Sequence, residues 1–278
     1  MGYRDDKREP REGGFQRREN DGKRFERKPK ADAEDIIYGI RNVIEAIKNN
    51  AEINKILIQK GIDKDLFEEL RTILTGKDYQ LQFVPIEKLA KLTANNHQGV
   101  VAFTSPVEYK NIEELCDQWL AEGKEPCILV LDRITDVRNF GGIARTAACM
   151  GVDAILIPSK GGALVSADAM KTSAGALHAI PVCKTDLLKE SLFYLKQSGF
   201  QIVSCTEKSK VNVENYSFFG PTAIILGSEE DGISHDLLKM SDVRVCIPME
   251  GTISSLNVGV ATGMVLYERL KQVRAAKS

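Results

Sequence analysis

No stretch of eighteen consecutive apolar residues occurs in this 278-residue chain, so none is built to span a bilayer as a helix. Charge begins at Arg4 with no apolar run behind it, which speaks against a secretory leader and for a cytoplasmic protein. The six cysteines include no Cys-x-x-Cys pair, and none has a histidine at metal-ligand spacing, so no metal centre is expected. Cys127, Cys205 and Cys246 fall in strand-like runs and read as buried, reduced thiols. No Gly-x-Gly-x-x-Gly is present, which removes the usual dinucleotide fingerprint. The three histidines, His97, His178 and His235, match no motif and read as structural.

What is present is an ordinary globular composition, 43% hydrophobic and 28% charged, with net charge −1. The charge is unevenly spread. Residues 1–33 carry 11 Lys and Arg against 8 Asp and Glu, which leaves the rest at −4. That segment has no apolar periodicity and reads as a disordered basic tail, a weak hint of a polyanionic partner. Residues 34–104 read as a small α/β unit. Helical spacing at Ile40, Val43, Ile44 and Ile47 is followed by the strand INKILIQK, a helix ending at Gly76, the strand QLQFVP, a short helix and the strand QGVVAFTS. Residues 105–124 read as a linker carrying one helix. From residue 125 onward, six apolar strands alternate with helices: CILVLDRI, DAILIP, IPVCKT, FQIVSCTE, TAIILGSE and VRVCIPM. That pattern predicts a mostly parallel sheet covered on both faces, with its ligands beyond the carboxyl ends of the strands.

Three polar clusters sit at those ends. In LDRITDVRNFGGIARTAACMG a helix is expected to begin near Gly141 with Asn139 as its cap. Arg145, among small apolar residues, calls for a carboxylate or phosphate partner. In IILGSEEDGIS, carboxylates precede a helix, which a turn alone would explain. In IPMEGTISSLNVGVATG, Ser254 or Ser255 is expected to cap the last helix, with Asn257 inside its first turn. That helix looks apolar nearly all round and is therefore expected to be buried, as such helices often are against a partner subunit. Capping needs one residue, and three polar ones occur together.

In combination these clusters resemble the SpoU (TrmH-like, SPOUT) RNA ribose 2′-O-methyltransferases. The matching text is Asn139-x-Gly-Gly-Ile-x-Arg145-x-Ala with Gly151, then Leu226-Gly-Ser-Glu229-x-x-Gly232, then Ile247-Pro-Met-x-Gly-x-x-Ser255-Leu-Asn257-x-x-x-Ala261. HQGVVAF at 97–103 further resembles the ribosomal-L30-like (L30e-like) RNA-binding domain of the subgroup that modifies a 23S rRNA guanosine. The resemblance implies a trefoil-knotted parallel-sheet methyltransferase domain over residues 125–278 and a homodimer through the knot domain and C-terminal helix. It implies S-adenosylmethionine held around Gly227, Ile247 and Leu256. Arg145 is then the central catalytic residue, Asn139 and Glu229 orient it and the ribose, and Ser255 and Asn257 place the substrate. The segment Met170, Lys171 and Ser173–Ala176 resembles a family segment expected near the active site or dimer contact. Transfer to tRNA, or a catalytically lapsed ribosome-assembly factor, are the competing readings.

Overall fold

The computed structural model describes residues 35–76, 79–252 and 255–277, together with Gly2. Apart from Gly2, the expected basic tail lies outside the described residues, as does Ser254.

The first unit runs β1 (Ile36–Tyr38), α1 (Ile40–Lys48), β2 (Ile53–Gln59), α2 (Lys64–Leu74), β3 (Leu81–Val84), α3 (Ile86–Ala90) and β4 (Val100–Thr104). Its sheet has the order β1-β4-β2-β3, with β4 antiparallel to both neighbours and β3 parallel to β2. Ile40, Val43, Ile44 and Ile47 bury the inner face of α1 on Ile56, Ile58, Val100 and Ala102. β1 was not expected from the sequence, because Ile36 and Ile37 run straight into the helical period. Gly39, at φ 88°, breaks the chain between them, and Ile36 pairs with Phe103.

The second unit runs α4 (Ile112–Ala121), β5 (Cys127–Asp132), α5 (Val137–Cys149), β6 (Ala154–Pro158), α6 (Ala167–Thr172), α7 (Ala176–Ala179), β7 (Val182–Thr185), α8 (Leu188–Gln197), β8 (Gln201–Cys205), β9 (Thr222–Gly227), α9 (His235–Met240), β10 (Val243–Val245) and α10 (Val258–Lys277). The six strands are all parallel, in the order β10-β8-β9-β5-β6-β7. β5 shows why its sequence is apolar throughout. Cys127, Leu129 and Leu131 enter one core with α5 and α10, whereas Ile128 and Val130 enter the other with α4, α8 and α9. The segment expected as a linker is tied to this sheet: Ile112, Cys116 and Trp119 of α4 join the second core, and Lys110 N donates to Val182 O at 2.9 Å.

From β5 the chain winds outward to β6 and β7, then crosses to the other side for β8, β9 and β10. The reversal falls between β5 and β9, whose last residues, Asp132 and Gly227, pair in register. Chains leaving two neighbouring parallel strands in opposite directions open a crevice there.

Candidate active site

Residues from each of the three polar clusters converge on that crevice. Gly227 ends β9 where the following loop folds back on it. A Cβ on Gly227 would lie 2.1 Å from Gly232 C and 2.2 Å from Ile233 N, so only glycine fits. The loop closes on itself through Gly232 N to Ser228 O at 3.0 Å and Asp231 N to Ser228 Oγ at 3.1 Å. Arg133 clamps it from β5, donating to Asp231 Oδ2 at 3.1 Å and Gly232 O at 3.0 Å. Buried Asp132 accepts from Ser234 N at 2.6 Å. Arg133 was not among the expected site residues. Its place directly after a strand was the available signal, and its φ of 58° belongs to the turn it makes.

The clamped loop holds Glu229 between two helix starts. Glu229 Oε1 accepts from Asn257 Nδ2 at 2.6 Å, from Asn139 Nδ2 at 3.2 Å and from Val258 N at 3.4 Å. Asn257 Nδ2 also reaches Asn139 Oδ1 at 3.1 Å. Both helix starts differ from expectation. α5 begins at Val137, capped by Asp136, whose Oδ1 accepts from Asn139 N at 2.8 Å. Asn139 is thereby released from capping, and its side chain is free to meet Glu229. α10 begins at Val258, later than expected, and Asn257 is its cap: Oδ1 accepts from Gly259 N at 2.9 Å and Val260 N at 3.4 Å. An asparagine has an acceptor and a donor on one amide, so it caps with the oxygen and binds Glu229 with the nitrogen. A serine in its place has a single hydroxyl on a shorter side chain for both tasks.

Two cavities flank this cluster. One of about 360 Å³ is lined by Gly227, Glu229, Ile247, Ser255 and Leu256, and by Thr206, Glu207 and Lys208 from beyond β8. The other, of about 410 Å³, is lined by Arg133, Asp136 and Asn139. Residues 228–231 and Val258 line both, so the Glu229 loop is the wall between them. The Thr206–Lys208 segment carried no motif and was not singled out in the sequence. Cys205 also faces the first cavity, half-buried rather than fully buried as expected. Burial pushes its thiol up to about 12, so it holds its proton at neutral pH and is no nucleophile. Cys246 is likewise half-buried, Cys127 is fully buried, and all six cysteines are unpaired thiols.

Arg145 stands apart. It is exposed, lines neither cavity, and makes no hydrogen bond or ion pair among the described residues. The partner expected for it from its apolar neighbours is not needed, because those neighbours face inward and Arg145 faces water. It lies six residues beyond Asn139, about 9 Å along the helix. The Ser173–Ala176 segment joins α6 to α7 and packs against α5, outside both cavities. His97 Nδ1 accepts from Gly99 N at 3.0 Å, and His178 and His235 are exposed. Among the described residues no group of three or more His, Cys, Asp or Glu is placed to hold a metal ion.

Residues 126–267 match the SpoU rRNA methylase family, and residues 36–110 match the RNA 2′-O ribose methyltransferase substrate-binding family. The chain belongs to the SpoU methylase family. A TrmH family tRNA/rRNA methyltransferase of Staphylococcus saprophyticus is 34% identical over 233 residues, covering 84% of this chain and 94% of the relative. Among solved structures, the SpoU methyltransferase AviRb of Streptomyces viridochromogenes in complex with AdoMet aligns with TM-score 0.55 at 22% identity, over 86% of this chain and 90% of that one. An AdoMet-bound rRNA methyltransferase of Sinorhizobium meliloti aligns with TM-score 0.56 at 21% identity, over 86% and 87%. These two share the SpoU fold with the present chain.

Proposed function

We propose that this chain transfers a methyl group from S-adenosylmethionine to the ribose 2′-hydroxyl of a guanosine in 23S rRNA. The observation that carries this reading is the Asn139–Glu229–Asn257 cluster standing as a shared wall between two cavities, one for the donor and one for the acceptor. The SpoU methyltransferases use S-adenosylmethionine, and the first cavity suits it. Its size is that of a small-molecule site, its walls combine apolar Leu226, Ile247 and Leu256 with the carboxylates of Glu207 and Glu229, and a sulfonium is a cation. The cofactor supplies an electrophilic methyl group. Gly227, Ile247 and Leu256 would hold it, as their place in the cavity lining supports.

Asn139 and Asn257 fix the carboxylate of Glu229 in one orientation, with its second oxygen left for a ligand hydroxyl. Ser255, in the same lining, is available to the substrate. Arg145 presents an unpaired guanidinium to solvent, suited to gripping a phosphate next to the target ribose and stabilising charge that develops on its oxygen. Guanidinium keeps its proton at any working pH, so a role as general base is disfavoured. Alignment of oxygen, carbon and sulfur is the larger contribution the protein can make.

The finer fold expectations belong to the same reading. Residues 34–104 would act as the L30e-like RNA-binding unit, which the substrate-binding match over 36–110 supports. A trefoil knot is what the family resemblance implies for the chain beyond β10, which lies beside residues 211–213: Cys246 N donates to Val211 O, and Val213 N to Cys246 O, both at 2.8 Å. A homodimer is supported by α10, which is not buried all round as expected but exposes Val260, Met264 and Tyr267. A cytoplasmic location would follow from the substrate; no helix among the described residues is long and apolar enough to cross a membrane.

The test is incubation of the purified protein with methyl-labelled S-adenosylmethionine and either 23S rRNA or bulk tRNA, followed by mapping of 2′-O-methyl sites. One labelled guanosine in 23S rRNA is expected, lost in Arg145→Ala while cofactor binding persists. Label in tRNA alone replaces rRNA by tRNA as substrate, a target the Staphylococcus relative's description also covers. Cofactor binding without transfer to any RNA indicates a lapsed enzyme and overturns the proposal.

A further inference from the structure

The two units meet at a buried polar joint. Asn54, on β2 of the first unit, is 7% exposed. Its Nδ2 donates to Val165 O of the second unit at 2.6 Å and to Thr104 O at 3.1 Å. Its Oδ1 accepts from the Tyr109 hydroxyl at 2.7 Å, and that hydroxyl accepts in turn from Val165 N at 3.1 Å. Nearby, Asp35 Oδ2 accepts from Ala167 N at 2.6 Å. Lys184 Nζ, at the end of β7, lies 4.1 Å from the centre of the Tyr109 ring. Burial pushes the Tyr109 phenol up to about 12, so it remains a donor at every working pH.

A contact needed only to cover apolar surface has no use for such a network. Burying an amide costs free energy unless its hydrogen bonds are made, and here both donors and the acceptor of Asn54 are engaged. A network of this kind is favourable in one geometry and costly in others. It therefore selects one orientation of the first unit on the second. The joint also leads towards the candidate site. Val165 and Ala167 flank Ser166, which caps α6 by accepting from Ala169 N. α6 lies against α5 so closely that a Cβ on Gly141 would come within 2.6 Å of Thr172 Cβ and 3.0 Å of Ala169 O. Gly141 sits between Asn139 and Arg145.

We propose that Asn54 and Tyr109 are positioning residues, which lock the RNA-binding unit in one orientation on the methyltransferase unit and brace α6 against the helix carrying Asn139 and Arg145. The role in presenting RNA rests on the reading given under Proposed function; the locking does not.

The experiment uses the full chain with Tyr109→Phe and Asn54→Ala, each checked for a cooperative melt. Tyr109→Phe keeps the ring beneath Lys184 and removes only the hydroxyl, so it serves even where Asn54→Ala fails to fold. Three readouts are taken: small-angle scattering, hydrogen exchange at the Val165 and Ala167 amides, and kcat/KM on 23S rRNA beside the Kd for S-adenosylmethionine. Expected are a broadened distance distribution, at least tenfold faster exchange at Val165, and a fall of about tenfold in kcat/KM with the cofactor Kd unchanged. Unchanged scattering and exchange overturn the proposal. So does a joint that opens without any loss of kcat/KM. Wild-type protein that methylates no RNA refutes the methylation reading; scattering and exchange then decide the locking role, and unchanged curves overturn it.

Discussion

Asn257 does two jobs with one side chain, and single substitutions can separate them. Its oxygen caps α10 and its nitrogen binds Glu229. Asn257→Ala loses both, and a cap alone is worth about 1 kcal/mol. Asn257→Ser restores an acceptor for the cap but leaves Glu229 without its shortest donor. The expected outcome is that thermal unfolding of Asn257→Ser lies closer to wild type than that of Asn257→Ala, while methyl transfer by both falls about 10²-fold through misplacement of Glu229. Transfer by Asn257→Ser at the wild-type rate would show that capping is the residue's whole role. Glu229→Gln is the complementary change. It keeps the shape and an acceptor oxygen but gives up the charge that holds two amides, so a similar loss of kcat is expected, with the unfolding temperature within a few degrees of wild type.

At the scale of elements, β9 ends where a glycine is obligatory. Gly227→Ala would place a methyl group against backbone atoms of Gly232 and Ile233, which have no rotamer to relax into. A loss of at least about 3 kcal/mol is expected, read as a drop in the denaturation midpoint. Edge strand β10 is held differently. Asp242 accepts from Ile202 N at 2.9 Å and pairs with Lys196 Nζ at 2.5 Å. Burial pushes its carboxyl up, but those two partners outweigh burial and hold it below its ordinary value. A depressed carboxyl stabilises above its unfolded pKa, near 4, and the contribution is lost as pH falls through the folded value. Solvent screening keeps it to about 1 kcal/mol or less. Asp242→Asn is therefore expected to be the less stable protein at pH 7, with the gap closing below about pH 4; a gap that persists at pH 2 would point to packing instead.

The same elements show what the sequence made legible. The strands of the larger sheet each read as a continuous apolar run because both faces of β5 and its neighbours are buried, and burial on two faces leaves no other pattern. β1 was hidden because its partner, β4, is more than sixty residues away, and three residues hold no period of their own. The start of α10 was misplaced because three capping residues occur together and propensity ranks serine with asparagine; the choice between them is made by Glu229, distant in sequence. Asn139, Glu229 and Asn257 were legible as motif members but not as a hydrogen-bonded group. The lining from Thr206 to Lys208 was invisible, since a strand end acquires meaning only from what faces it.

At the scale of the whole molecule, one surface lacks a reason to face water. Val260, Met264 and Tyr267 are 52%, 44% and 60% exposed, and their spacing of four and three residues puts them on one stripe of α10. At the flank of this stripe α10 meets α5, where a Cβ on Gly263 would lie 3.7 Å from Thr146. Arg145 is the neighbour of Thr146 and also faces outward. A second copy seated on the stripe would thus cover apolar area and lie beside Arg145 at once, which a lone chain does not do. Wild-type protein is expected to sediment at twice its 30.8 kDa chain mass. Met264→Lys places a charge at the middle of the stripe without touching the interior, so it should sediment at the chain mass with its unfolding temperature little changed and its methyl transfer reduced. A Met264→Lys protein that stays dimeric would move the interface elsewhere. One that is monomeric yet fully active would show that a single chain completes the site around Arg145.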